Sequence, residues 1–228
     1  MAAHQYFINK SSKTWLAVAI GAAVIIIDQV LKIWVKTSFY WGEDYEIASW
    51  FHLRFIQNNG MAFGMEIGSK LFLTLFRIIV VTGCIWFITK LVSKPDSKPG
   101  FIACVSLIAA GALGNIFDCV FYGEIFNNPL PPEVATFVPW GHGYASLFHG
   151  MVVDMFYFPL VEFTWPSWIP LVGGKVFSFF DPVFNFADAA INVGFFGIIV
   201  FYAGILGGKH DAGADKETKD TAKPAQKK

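Results

Sequence analysis

Charge is what this sequence has least of. Of 228 residues only 15% are Asp, Glu, Lys or Arg, 17 of each sign, for a formal net charge of zero. An average soluble domain is about one quarter charged, so this chain cannot cover the surface of a water-exposed globule. Its cations are scattered or confined to one tail, which leaves no clustered basic surface for nucleic acid. The three Cys form no CxxC pair, which argues against a disulfide framework or a structural zinc site. Cys84 and Cys104 lie within apolar runs and read as small packing residues. HExxH and GxGD are absent, and there is no internal repeat, no metal-ligand set and no cofactor motif. What is abundant is apolar and aromatic: 55% hydrophobic residues, with 25 Phe and 8 Trp, which excludes disorder for most of the chain.

The chain therefore reads as a mainly α membrane protein. Crossing about 30 Å of hydrocarbon takes roughly 20 apolar residues at 1.5 Å each. Four stretches suffice: 15–35, 71–92, 101–122 and 183–206. The first has Lys10 and Lys13 ahead of it like a signal peptide, but its apolar core runs into Asp28, Gln29 and Lys32 with no small-residue cleavage site, so it is expected to remain a helix. The N-terminal stretch, the 93–100 turn and the tail 207–228 carry ten Lys or Arg, and the longer segments 36–70 and 123–182 only four. That asymmetry predicts cytoplasmic termini and outward-facing long segments. The expected organisation is one membrane domain over 1–206 and a disordered cytoplasmic tail over 207–228, whose composition is polar and Lys-rich.

The outer segments carry their own signals. Residues 45–57 are rich in β-branched and aromatic residues and end at Asn58, Asn59 and Gly60, which predicts a strand and a turn, hence a small extracytoplasmic β-sheet. Segment 123–182 combines many Pro with Trp140, Trp165 and Trp168 and reads as an irregular outer cap. Its indoles either anchor at the headgroups or grip substrate.

Ionisable groups in hydrocarbon are costly, so their placement is informative. With both ends inside, Asp28 and Lys32, Arg77, Asn115 and Asp118, and Asn185, Asp188 and Asn192 all fall in the outer halves of their helices. Spacings of i, i+3, i+4 and i+7 place each set on one face, and the expectation is that these stripes converge on the bundle interior as an outward-opening polar pocket. For Asn192, Asp118 and Lys32 the better reading is interhelical hydrogen bonding; for Asp188 with Asn185 it is function. Asp154, alone in the apolar GMVVDM, is either a turn or cap residue or a second functional carboxylate. Two close carboxylates in a low dielectric share one proton, so one can deprotonate water while the other polarises an amide carbonyl. The alternatives are a proton- or ion-coupled carrier using the same carboxylates and a non-enzymatic membrane chaperone.

DQVLK (Asp28 to Lys32), NNGMAFG (Asn58 to Gly64), GALGNIFD (Gly111 to Asp118), VVD (Val152 to Asp154) and FNFADAAI (Phe184 to Ile191) stand in the order found in the lipoprotein signal peptidases, or signal peptidase II, which the chain resembles over residues 28 to 191. The resemblance implies a four-helix aspartyl endopeptidase of the bacterial cytoplasmic membrane. Such an enzyme removes signal peptides from diacylglyceryl-modified prolipoproteins by cutting before the lipobox cysteine, on the periplasmic side. It implies Asp154 and Asp188 as the catalytic pair, and Asn58, Asn115, Asn185, Gly60 and Phe63 as substrate-binding, with Ala62 on the same outer loop. Asp28, Lys32 and Asp118 would be supporting residues. Prolipoprotein and membrane lipids are the implied partners, with the chain a monomer. Two departures stand out: Cys119 replaces an Arg that many members carry after the Asp of GNxxD, so that an anchoring cation either comes from elsewhere, such as Arg54, or is dispensable, and the segment around 127–148 is an insertion.

Overall fold

The computed structural model describes residues 2–58, 70–179 and 182–206. Among the described residues, four helices are long and apolar enough to cross a membrane. They are α1 (Ala2–Ser38), α2 (Lys70–Ser93), α3 (Pro99–Phe117) and, after a short α4 (Gly123–Ile125), α5 (Phe186–Leu206). A π-helical turn over Asp118–Tyr122 joins α3 to α4, so the third span runs from Pro99 to Ile125. Pro99 supplies the preset φ and the missing N–H that suit the first turn of α3. At the facing end, buried Lys13 on α1 donates to the carbonyls of Lys94 and Pro95 at 3.0 and 2.7 Å, satisfying acceptors just beyond α2.

The helix ends depart from the hydropathy reading. Helix α1 starts well before residue 15, and α5 starts at Phe186 rather than at 183. The reason for the second shift is chemical. The Asn185 Oδ1 accepts the Asp188 N–H at 2.9 Å, and the Asn185 N–H reaches Asp188 Oδ2 at 3.4 Å, a reciprocal capping box that fixes the first turn regardless of how apolar the preceding residues are. Asp188 is consequently the third helical residue, about 3 Å along the axis from the helix start, shallower than a start at 183 implies.

Helix α3 is the centre of the bundle: 56% of its span is buried, against 17% or less for the other three. Small residues allow the close approach. A Cβ at Gly111 would collide with the Ala187 carbonyl oxygen, and one at Gly114 would sit 2.6 Å from Asp28 Oδ2.

The segment 45–57 is two strands, not one. A hairpin of β1 (Asp44–Ala48) and β2 (Phe51–Asn58) is joined by the antiparallel β3 (Val152–Tyr157), with a register shift between Leu53 and Ile56 on β2. The outer cap is correspondingly more regular than its Pro content suggests, since it supplies β3 and a separate hairpin of β4 (Val161–Thr164) and β5 (Val176–Phe179). Val35, Phe55, Tyr122, Phe126, Val153 and Met155 form one buried cluster, so the sheet packs directly on the outer ends of α1 and α3. Segment 127–148 lies over this junction. Its Tyr144, with Phe55 and Phe126, surrounds the ammonium of fully buried Lys36 at 5.1 to 5.8 Å, and Lys36 donates to Gln57 at 3.1 Å.

Candidate active site

Asp154 and Asp188 lie in strand and helix elements that a single β-bridge draws together. Phe184 exchanges backbone hydrogen bonds with Phe156, its N–H donating at 3.0 Å and its carbonyl accepting at 2.7 Å. Phe184 is the residue before Asn185, and Phe156 lies two past Asp154, so the cap of α5 is fixed against the acidic part of β3. The β-branched and aromatic composition of VVDMFY makes it a strand. Its pairing with β2 opposes Ile56 to Asp154 and Asn58 to Val152.

Asn185, fully buried, is the link between the two carboxylates. Its Nδ2 donates to Asp154 Oδ1 at 2.7 Å, and its Oδ1 and backbone N–H form the capping box with Asp188. The Asn115 Nδ2 on α3 donates to Asp188 Oδ1 at 2.8 Å. Asn58 hydrogen-bonds the Asp154 side chain from the end of β2. Asp154 is only 2% exposed, whereas Asp188 is half-buried. Burial pushes the Asp154 carboxyl up to about 7, and the neighbouring Asp188 charge adds to the rise; hydrogen bonds from Asn185 and Asn58 and the Lys32 cation oppose it.

Beneath this pair lies a buried ionic base. The Lys32 ammonium contacts Asp28 Oδ2 and Asp118 Oδ2, each at 2.9 Å, and donates to Asn115 Oδ1 at 2.8 Å, so its three N–H bonds are all used. Asn115 Oδ1 also accepts from Asn185 Nδ2 at 3.1 Å. Asp118 Oδ2 accepts the Val153 N–H at 3.2 Å, tying α3 to the residue before Asp154. The expected stripes on α1 and α3 thus do converge, and Asp28, Lys32, Asn115, Asp118, Asn185, Asp154 and Asp188 form one connected network. Gly60, Ala62 and Phe63 lie outside the described residues.

Two sequence expectations are corrected. Asn185 is not on the α5 face but caps it, and Asn192 points outward with no hydrogen-bond partner among the described residues instead of joining the interior. Arg54 is engaged elsewhere, donating to Asp44 at 3.0 Å and lying over the Tyr157 ring. The guanidinium beside Cys119 is that of Arg77 on α2, at 3.6 Å from the thiol sulfur.

Gln29 is the network member that sequence reasoning passed over. Its Nε2 reaches Asp28, Asp118 and the Gly114 carbonyl at 3.0 to 3.2 Å, and its Oε1 accepts from the buried Tyr122 hydroxyl at 3.0 Å. The signal was available: a primary amide in the middle of an apolar run must find partners.

The sequence pattern described as signal peptidase (SPase) II matches residues 20–204. The chain belongs to the signal peptidase II family. A lipoprotein signal peptidase of Porphyromonas gingivalis is 47% identical over 196 residues, 86% of each chain. One from Amoebophilus asiaticus is 36% identical over 190 residues, 81% of this chain and 76% of that protein. Two solved bacterial membrane enzymes share the fold at 22% and 24% identity, with TM-scores of 0.55 and 0.54; they match 92% and 81% of this chain and 94% and 90% of theirs. Family membership makes the chain a protease that acts on the signal peptides of prolipoproteins, and its four apolar helices fit the bacterial inner membrane.

Proposed function

We propose that the chain is an aspartyl endopeptidase in which Asp154 and Asp188 share one proton, and that it cuts immediately before the diacylglyceryl-modified cysteine. The observation that carries this reading is Asn185, one side chain that hydrogen-bonds Asp154 and caps the turn holding Asp188. Asp154, the more buried group and the one pushed up to about 7, holds the proton. Asp188, beside the N-terminus of α5 and receiving the Asn115 N–H, carries the charge.

In this assignment Asp154 donates its proton to the scissile carbonyl oxygen while Asp188 takes one from a water that attacks the carbonyl carbon. The tetrahedral gem-diol then returns a proton to Asp154, Asp188 delivers its own to the amide nitrogen, and the C–N bond breaks to a carboxylic acid and a free amine. Asn58, Asn115 and Asn185 line the substrate path and hold the two carboxylates apart from bulk water. Asp28, Lys32 and Asp118 are their scaffold.

The orientation follows from the same groups. The network sits at the C-terminal ends of α1 and α3 and the N-terminal end of α5, and the Lys and Arg bias supports a cytoplasmic location for the opposite ends. The site then opens near the periplasmic interface, where the lipid-modified cysteine of a membrane-anchored prolipoprotein lies.

The test is cleavage of a diacylated prolipoprotein by purified Asp154→Asn and Asp188→Asn variants in detergent. Each variant is expected to bind the substrate and leave it uncut; full activity in either would remove that residue from the chemistry.

A further inference from the structure

Among the described residues, the Asn192 amide on the membrane-exposed side of α5 has no hydrogen-bond partner. Asn192 is the seventh residue of α5, about 9 Å along the axis from its start, and it is exposed on the outside of the bundle. The buried Asn side chains at positions 115 and 185 are hydrogen-bonded on both amide ends. A lipid tail offers Asn192 neither a donor nor an acceptor, so a partner has to arrive laterally within the bilayer.

The geometry of α5 narrows what that partner is. Asp188, Asn192, Phe195 and Ile199 recur at i, i+4, i+7 and i+11, one stripe running from the site towards the opposite end of the helix. Phe195 and Ile199 are 51% and 46% exposed, so the stripe is uncovered below Asp188. Beside it lies a groove of about 620 Å³ between α3 and α5, lined by Asn192, Phe196, Val200, Cys104, Gly100 and Gly197. Gly100 and Cys104 belong to the first turns of α3, and Val200 to the later turns of α5, so the groove runs from Asn192 into the half of the membrane away from the site. Acyl chains entering from the outer leaflet do not extend there, whereas an apolar helix spanning the bilayer does.

We propose that this face of α5 receives the apolar helix of the substrate's signal peptide, and that Asn192 donates to backbone carbonyls where that helix ends. This rests on the reading of Asp188 as part of the catalytic pair. A peptide cut at Asp188 is extended there, so its helix stops short of the site and leaves its last carbonyls unpaired in hydrocarbon. Asn192 lies four residues, about 6 Å, further along the helix axis than Asp188, the height of that last turn. Leu at this position would suit lipid equally well, so the amide serves binding rather than the stability of the bundle.

Asn192→Leu is measured on two substrates: a full diacylated prolipoprotein, and a diacylglyceryl peptide truncated to the few residues around the modified cysteine. The variant is expected to lose about five-fold in kcat/KM on the full substrate, the effect of one hydrogen bond, and to match the parent on the truncated one. Asn192→Ser, which keeps a donor, restores part of the loss. Equal losses on both substrates, or no loss on either, overturn the proposal. A photoreactive benzoylphenylalanine in place of Phe196 should cross-link to the signal peptide; cross-links only to lipid or to a second copy of the chain also overturn it. If Asp154→Asn and Asp188→Asn stay active, the catalytic reading fails while the cross-link still reports docking. If they are dead and neither Asn192 effect is seen, docking alone fails.

Discussion

The Asp28 carboxylate on α1 accepts the Ala187 backbone N–H at 2.9 Å, so the first helix holds the first turn of the last one across 159 positions of sequence. Ala187 is the residue before Asp188. The same carboxylate meets Lys32, which meets Asp118, which meets the residue before Asp154. Both acidic side chains of the site are therefore braced by one ammonium that never contacts them directly.

Replacing that ammonium should show how much rests on it. Lys32→Met leaves Asp28 and Asp118, both fully buried, without their cation. Removing one partner of a buried ion pair typically costs about 3–5 kcal/mol, because the remaining charge is uncompensated. Thermal unfolding in detergent should register a loss of that order. The triple variant Lys32→Met, Asp28→Asn, Asp118→Asn should recover most of the stability but not the activity, since the network that fixes Asn115 is gone. Recovery of both would reduce Lys32 to a charge balance with no positioning role.

Gly114→Ala tests the packing that lets α3 approach this base. The added Cβ lies 2.6 Å from Asp28 Oδ2 and 3.4 Å from the Ala187 Cβ. Asp28 has no free rotamer to yield, being tied to Lys32, Gln29 and Ala187 at once. Overpacking of this kind costs about 1–3 kcal/mol, and cleavage should fall with it because the displaced carboxylate drags the α5 cap. Gly83→Ala on α2, where an added Cβ meets nothing within 4 Å, is the control and should leave both unchanged.

The spans were legible because apolar runs near the membrane thickness admit few other readings. That Asp154 and Asp188 would belong to one network was legible because VVD and FNFADAAI are specific in combination. The capped start of α5 was not, since Val183 and Phe184 are as apolar as the helix they precede and only the Asn185 side chain sets the boundary. Nor was β3, whose partner β2 lies about a hundred residues earlier and gives no local sign of itself. Asn192 failed for a different reason: helical spacing groups residues on one face but does not say which face meets protein, and capping removed Asn185 from the stripe that seemed to turn it inward.

Activity should fall as pH rises through about 7. Asp154 is pushed up to about 7 in the folded chain, against about 3.9 for an unperturbed Asp, so the folded state binds this proton more tightly than the unfolded one. The contribution to stability is fully present below about pH 4 and is lost progressively up to about pH 7, at most about 4 kcal/mol for a three-unit difference. Asp154→Asn is neutral throughout, so its unfolding temperature should gain on the parent across that window and run parallel above it. A kcat/KM profile of the parent that is flat from pH 6 to 9 would show that the Asp154 proton is not needed.

Asn185 carries two roles that can be separated by substitution. One is the helix cap, which Asp and Ser also perform well, while Ala costs about 1 kcal/mol. The other is the Nδ2 donation to Asp154 and Asn115, which neither an Asp carboxylate nor a Ser hydroxyl of shorter reach can reproduce. Asn185→Asp keeps the cap and sets a third carboxylate against Asp154, which raises its pKa further. Its unfolding temperature is expected to be no lower than that of Asn185→Ala at pH 5, where Asp154 is protonated, yet cleavage should be lost in both. Asn185→Ser should keep the cap and cleave more slowly than the parent by about tenfold, since the donation to Asp154 and Asn115 is lost. If Ser matched the parent in cleavage, capping alone would account for Asn185, and the contact at 2.7 Å would have no part in holding the two carboxylates together.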